Sequence, residues 1–171
     1  MKYISTRDNK KTYNFIDTFL NGLAHDGGLY IPKKIPRLSK IILKRLSKLN
    51  YNDLAYEIIK IYTGNTFSKN ELKKIIKNSY NKFDSNNVIK FSRVKKFNLV
   101  ELYHGPTLAF KDIAMQVIGN MYETVLSKSK NKINLVTATS GDTGAAAIDA
   151  VKNKKNLRIF VLHPRGKVSI T

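Results

Sequence analysis

The sequence predicts an α/β protein in which a small, mainly helical N-terminal domain, residues 1–95, precedes the first part of an α/β domain, residues 96–171. Two observations support this division. Apolar side chains recur at helical spacing between residues 39 and 79. Residues 133–162 then follow the order strand, turn, helix, strand, which indicates a βαβ unit and therefore a parallel sheet.

The first domain is predicted to begin with a short strand in YIST and a short helix over residues 12–21. Ser68 and Glu71 have the S-x-x-E spacing of a capping box, which marks the start of a further helix. A turn is expected at Gly27-Gly28. Three helices are expected after it, at residues 39–49, 52–63 and 68–79. We expect the segment 33–98 to be mainly helical.

The second domain is predicted to start with a strand at Phe97–Tyr103, followed by a helix at Lys111–Leu126. The runs Ile133–Ala138 and Leu157–Leu162 are almost continuously apolar. Such runs are typical of parallel strands that are covered on both faces. An alanine-rich helix is expected between them.

The composition excludes several classes of protein. The 171 residues include no cysteine and only three histidines, which excludes a disulfide scaffold, a cysteine-ligated zinc site, an iron–sulfur cluster and a thiol nucleophile. The first residues lack the apolar core of a secretory signal, and no apolar run approaches the roughly 20 residues of a membrane span. We expect a cytoplasmic protein that binds neither a metal nor a membrane.

The net charge of +19 raises the possibility of a nucleic-acid partner. The basic residues are 25 lysines and only 6 arginines, although arginine is the usual reader of phosphates and bases. Residues 33–98 carry a net charge of +13, whereas residues 99–151 carry −1. The favoured interpretation is that the lysines are solvated surface residues without an anionic partner. A nucleic-acid-binding module remains the alternative.

The loop from His104 to Asp112, HGPTLAFKD, follows a predicted strand and opens a helix. Lys111 stands at the positive end of that helix, between apolar neighbours. The helix dipole and the apolar neighbours both disfavour the charged ammonium form of Lys111. They favour the neutral amine that a Schiff-base lysine needs. The alternative is an ordinary surface lysine in an N-terminal turn, beside Asp112 as an acid that the helix dipole favours.

The loop Thr139–Gly144, TSGDTG, stands at the end of a predicted strand, where the next helix begins. Glycines allow a close approach of the backbone to a ligand, and hydroxyls and free N–H groups at a helix start can hold a carboxylate or phosphate. The alternative is plain capping by Ser140 or Asp142. The sequence is not a phosphate-binding Walker loop, because the later Gly166-Lys167 lacks the required neighbours.

Two histidines stand at predicted strand ends. His104 and His163 each precede a turn. One interpretation is that each donates a hydrogen bond to a residue of the functional site. The preferred interpretation is a purely structural hydrogen bond.

Taken together, these segments resemble the N-terminal part of the threonine synthase family, pyridoxal-phosphate enzymes of the tryptophan-synthase-β-like fold. The resemblance rests on four stretches that span the chain: YISTR, GLAHDGGLYIP, ELYHGPTLAFKDIAMQ, and TATSGDTGAAAI followed by FVLHPRGKVS up to residue 169. It implies that residues 96–171 begin a three-layer α/β domain of the pyridoxal-phosphate fold type II class.

The resemblance also implies residue roles. Lys111 matches the lysine that forms the internal aldimine with pyridoxal 5′-phosphate, and Asp142 matches the position facing the 3′-oxygen of that cofactor. The substrate's α-carboxylate is expected at Thr139, Ser140, Gly141 and Thr143. The implied activity is that of a carbon–oxygen lyase, which converts O-phospho-L-homoserine and water to L-threonine and phosphate in the last step of threonine biosynthesis.

Two parts of the family's site have no candidate in residues 1–171. These are the later Gly/Asn-rich loop that holds the cofactor phosphate and the residue that contacts the pyridine nitrogen. We therefore expect this chain to be a fragment that is inactive alone. A non-catalytic or incomplete relative remains the alternative.

Overall fold

The computed structural model describes residues 1–84 and 87–166. It consists of two compact units, Met1–Lys73 and Lys74–Thr171. The predicted division between residues 95 and 96 falls at a different place and stays a prediction. The end of the last resembling segment, residues 167–169, lies outside the described residues.

The first unit contains a two-stranded antiparallel sheet and short helices; the sequence predicted its first strand and the helices, but not the second strand at Tyr30–Pro32. Tyr3 lies opposite Pro32 in this sheet, and the Tyr3 hydroxyl donates a 2.8 Å hydrogen bond to the carbonyl oxygen of Tyr62. The elements are β1 (Tyr3–Ser5), α1 (Phe15–Asn21), β2 (Tyr30–Pro32), α2 (Lys40–Leu46), α3 (Tyr51–Thr63) and α4 (Lys69–Tyr80), the last of which runs on into the second unit.

Side-chain caps explain where these helices begin. Ser68 Oγ accepts a hydrogen bond from the Glu71 N–H at 3.3 Å, while the Ser68 N–H donates to Glu71 Oε2 at 2.8 Å. The predicted capping box is thus confirmed, with two otherwise unpaired donors satisfied. The three preceding helices are each capped by one side chain, from Asn14, Ser39 and Asn50.

The second unit contains a β-hairpin and the predicted βαβ unit. Its further elements are β3 (Lys90–Val94), β4 (Phe97–Glu101), α5 (Asp112–Ser129), β5 (Ile133–Ala138), α6 (Asp142–Val151) and β6 (Leu157–Leu162). Strands β5 and β6 are parallel, with Ile133 opposite Leu157 and Ala138 opposite Leu162. This confirms the parallel pairing expected from the sequence.

Strand β3 corrects the expectation that residues 33–98 are mainly helical. It pairs antiparallel with β4, so that Phe91 lies opposite Val100 and Val94 opposite Phe97. All four of these side chains are more than half exposed. Strand β4 agrees with the strand predicted from Phe97, whereas β3 was missed, because a strand without a buried face has no regular alternation of apolar and polar residues.

The core of the βαβ unit lies on one face of the β5–β6 pair. Leu126 of α5 and Val151 of α6 pack there with Leu157, and the partly buried side chains of Tyr122, Ile133, Leu135 and Ile159 complete the cluster. On the opposite face Val136 is 68% exposed and Phe160 is 54% exposed. The expectation that both faces are covered is wrong for the described residues, because both helices lie on the same side of the strands.

Candidate functional site

A pocket of about 390 Å³ lies where β5 ends and α6 begins. Four of the five predicted residues of the TSGDTG loop line it, whereas Thr143 and Lys111 are not among its lining residues. Thr107, from the loop that leads to Lys111, lines the same pocket. The complete lining consists of Thr107, Thr139, Ser140, Gly141, Asp142, Gly144, Ala145, Ile148, Val161 and His163.

The start of α6 has no side-chain cap. Its N-cap residue is Gly141, and neither Ser140 nor Asp142 caps the helix. The predicted alternative of plain capping by these two residues is therefore wrong. Because the first N–H groups of a helix have no partner within the helix, an uncapped start leaves donors for an anionic group in the pocket.

Gly144 brings the first turn of α6 close to the end of β5. A Cβ atom at this position would lie 2.5 Å from Thr139 Cγ2 and 3.5 Å from Val161 Cγ1. The Thr139 hydroxyl in turn accepts a hydrogen bond from the Gly141 N–H at 3.3 Å. The loop is thus packed against its own strand, and its glycine at position 144 is required by a close contact.

Lys111 is the N-cap residue of α5, as expected from its place in the sequence. Its side chain is partly buried, and Nζ lies 4.5 Å from the centre of the Phe110 ring. It stands four residues after Thr107, which lines the pocket. The structure therefore places the lysine on the same loop as Thr107, the residue of that loop that lines the pocket.

Asp112 is a buried carboxylate that sequence reasoning treated only as an acid near a helix dipole. Its side chain is fully buried. Oδ2 accepts a 2.8 Å hydrogen bond from the Thr107 N–H, and Oδ1 accepts a 2.7 Å bond from the Thr107 hydroxyl. The one sequence clue to this arrangement was a hydroxyl residue just after Gly-Pro, with an acid at the start of the following helix.

The two histidines differ in their surroundings. His104 Nε2 lies 2.9 Å from Glu101 Oε2, which agrees with the preferred interpretation of a structural hydrogen bond. Hydrogen bonds from the side chains of Ser92 and His104 hold the pKa of Glu101 below its usual range. His163 lies just after β6 and lines the pocket.

Both loops open helices that pack against each other. Gly119 of α5 lies so close to Ala150 of α6 that a Cβ atom would be 3.1 Å from the Ala150 carbonyl carbon and still closer to its oxygen. Three residues earlier, Gln116 Nε2 donates a 2.6 Å hydrogen bond to Asp149 Oδ2. These contacts join the first half of α5 to the last turn of α6.

Within the described residues, no helix is long and apolar enough to cross a membrane. Nor does this part of the chain bring together three or more histidine or acidic side chains in a way that could hold a metal ion.

Comparison with known proteins gives one consistent result. The family model described as "Threonine synthase N terminus" matches residues 2–80. Threonine synthase of Pseudomonas aeruginosa is 39% identical over 170 residues, which cover 99% of this chain and 36% of that protein. Threonine synthase-like 2 of Mus musculus is 37% identical over 171 residues, which cover 99% of this chain and 35% of that protein.

The fold agrees with these matches. The crystal structure of PLP-bound threonine synthase from Brucella melitensis superposes with a TM-score of 0.92 at 38% identity, covering 99% of this chain and 37% of that structure. The chain therefore spans about a third of the length of the relatives that it matches. The predicted resemblance is confirmed from end to end: the chain is similar along almost its whole length to part of known threonine synthases.

Proposed function

We propose that this chain forms the lysine-bearing and carboxylate-binding part of a pyridoxal-phosphate-dependent threonine synthase. The reaction converts O-phospho-L-homoserine and water to L-threonine and phosphate. One observation carries the proposal: Thr107, on the loop that leads to Lys111, and residues 139–142 line the same pocket. Residues from two of the four stretches that carry the family resemblance thus line one pocket.

The pocket suits a small anionic molecule. Its volume of about 390 Å³ lies within the range of about 300–1,000 Å³ typical of sites for small ligands. The uncapped start of α6 supplies backbone donors at one side. Pyridoxal phosphate, when bound, supplies an electron sink for negative charge at the substrate's α-carbon. In this proposal Lys111 would be the residue that attaches the cofactor, and Asp142, which lines the pocket, would lie at its 3′-oxygen.

The residues of the TSGDTG loop hold the substrate. The α-carboxylate of O-phospho-L-homoserine accepts hydrogen bonds from backbone N–H groups in the first turn of α6, which includes Thr143, and from the hydroxyl of Ser140, while Gly141 shapes the turn before the helix. Thr139 supports the loop through its bond with the Gly141 N–H. Binding the carboxylate here orients the α-carbon for proton removal.

Lys111 moves protons during the reaction. In this proposal it takes one proton from the α-carbon and one from the β-carbon, and returns one at the γ-carbon and one at the α-carbon, which is general acid–base catalysis. The second proton of the added water goes to the released phosphate. The bond between the γ-carbon and the phosphate oxygen breaks. The hydroxyl of water adds at the β-carbon, and the γ-carbon gains a proton to become the methyl group of threonine.

Phosphate release tests this proposal. The protein expressed from the complete gene should release phosphate steadily from O-phospho-L-homoserine, and Lys111→Arg should abolish the release because the guanidinium neither attaches to the cofactor nor gives up a proton. Lys132→Arg, an exposed lysine outside the pocket, is the matched control and should retain wild-type turnover. Undiminished release by Lys111→Arg would refute the assignment of Lys111.

A non-catalytic or incomplete relative is the second candidate, because the loop for the cofactor phosphate and the residue for the pyridine nitrogen have no candidate in residues 1–171. The two candidates differ in one measurable respect. The second predicts attachment of pyridoxal phosphate to Lys111 without release of phosphate from O-phospho-L-homoserine.

A further inference from the structure

We propose that Asp112 is a positioning residue, whose carboxylate closes the loop from Gly105 to Lys111 and so holds Lys111 in place for the cofactor. This inference rests on the proposed function. Asp112 follows Lys111 directly and is fully buried. A buried carboxylate is unfavourable unless its oxygens are hydrogen-bonded, and here both oxygens accept bonds from one residue, Thr107.

Thr107 connects this carboxylate to the pocket. It donates to Asp112 through both its N–H and its hydroxyl, and it also lines the pocket with the TSGDTG loop. Hydrogen bonds to an ionised acceptor are roughly twice as strong as those between neutral groups. The pair therefore ties one wall of the pocket to the residue next to Lys111.

Gly105 allows the loop to close on the carboxylate. A Cβ atom at this position would lie 2.5 Å from both Cβ and Oδ2 of Asp112. The chain then turns through Leu108, which has φ of +57°, a conformation that leucine rarely adopts. Strained backbone of this kind persists where surrounding contacts fix it. We infer that the bonds from Thr107 to Asp112 are those contacts.

The closed loop determines the position of the Lys111 backbone, from which the side chain extends. The Asp112 N–H donates to the Ala109 carbonyl oxygen at 3.0 Å, and the Lys111 carbonyl oxygen accepts from the Met115 N–H at 2.9 Å. Lys111 is thus held between the loop and the first turn of α5. Losing the carboxylate releases the loop on the N-terminal side of Lys111, whereas the bonds within α5 remain.

The test measures how fast pyridoxal phosphate labels Lys111. The protein expressed from the complete gene is mixed with pyridoxal phosphate, trapped with borohydride at timed intervals and digested for mass spectrometry. In Asp112→Asn, which keeps the shape but removes the charge, the rate of Lys111 labelling should fall by about tenfold to a hundredfold. The matched control is Asp53→Asn on α3, a half-exposed carboxylate outside the loop and the pocket, which should label Lys111 at the wild-type rate.

Two further readouts separate positioning from a general loss of structure. Labelling of Lys154, which is partly buried and donates a hydrogen bond to Asn120 Oδ1, should stay unchanged in Asp112→Asn, because unfolding would expose that lysine while misplacement of Lys111 would not. Thr107→Val should slow Lys111 labelling, and Thr107→Ser, which keeps the hydroxyl, should restore it. This pair remains informative if Asp112→Asn fails to fold.

The outcomes distinguish this inference from the proposed function. If wild-type protein is labelled at Lys111 and both Asp112→Asn and Thr107→Val are labelled equally fast, Asp112 has no positioning role. If Lys111 of the wild-type protein is not labelled at all, the proposed function fails, and this inference fails with it.

Discussion

Gly144 offers a prediction that can be worked out from distances. Gly144→Ala should weaken α6, although alanine favours a helix over glycine by about 1 kcal/mol. The added Cβ atom would lie 2.5 Å from Thr139 Cγ2, and overpacking of this kind costs about 1–3 kcal/mol. The steric term is the larger, so we expect a net loss of up to about 2 kcal/mol in the local stability of α6.

A second substitution should reverse this loss. Thr139→Ser removes Cγ2, after which the nearest remaining atom outside residue 139 is Val161 Cγ1 at 3.5 Å, an ordinary contact. In the double variant Gly144→Ala/Thr139→Ser the steric cost should disappear and the helix preference of alanine should remain. The coupling energy between the two substitutions should therefore be about 1–3 kcal/mol.

Hydrogen–deuterium exchange of the peptide amides in α6 measures this effect, since exchange reports local opening. Each 1.4 kcal/mol corresponds to a factor of about ten in the opening equilibrium. Gly144→Ala should speed exchange in residues 142–151, and the double variant should exchange no faster than wild type. Exchange in Gly144→Ala that equals wild type, or no rescue by Thr139→Ser, would refute the argument that this contact requires glycine.

Three other predictions concern the second unit and the chain as a whole. Gly119→Ala should lower the melting temperature of the protein, because the added Cβ atom meets the carbonyl group of Ala150, and a backbone group cannot move aside as a side chain can; an unchanged melting temperature would contradict this. The pKa of Glu101 is lowered, so the stabilisation that it gives is present above the usual glutamate pKa and is lost as the pH falls through the lowered value. An NMR titration should show its carboxylate protonating below the usual range, and Ser92→Ala should shift that pKa upward; a normal titration would count against the hydrogen bonds. The 171-residue chain alone should release no phosphate from O-phospho-L-homoserine, and steady release by the purified chain would show that it contains a complete site.

Local interactions were predictable from the sequence. The capping box of Ser68 and Glu71 depends on a spacing of three residues, and the spacing suffices because both hydrogen bonds form within one turn. The parallel pairing of β5 and β6 follows likewise from a strand, a helix and a strand in close succession. The covering of those strands was not predictable, because an apolar residue such as Val136 does not specify what packs against it.

The candidate site was predictable in part. The glycines and hydroxyls of residues 139–144 indicated a ligand loop, and four of its five predicted residues do line the pocket. The burial of Asp112 was not evident from the sequence, because it depends on a return of the chain at Gly105 and Thr107. An acid at the start of a helix is usually solvated, and no periodic pattern distinguishes a buried one.

The attachment of pyridoxal phosphate to Lys111 is the central claim, and one measurement tests it most directly. The protein expressed from the complete gene is saturated with pyridoxal phosphate, reduced with borohydride and digested, and the modified peptide is identified by mass spectrometry. We predict a single dominant pyridoxyl group on Lys111, within the peptide that also carries Asp112. Modification of other lysines with Lys111 unmodified would contradict the account.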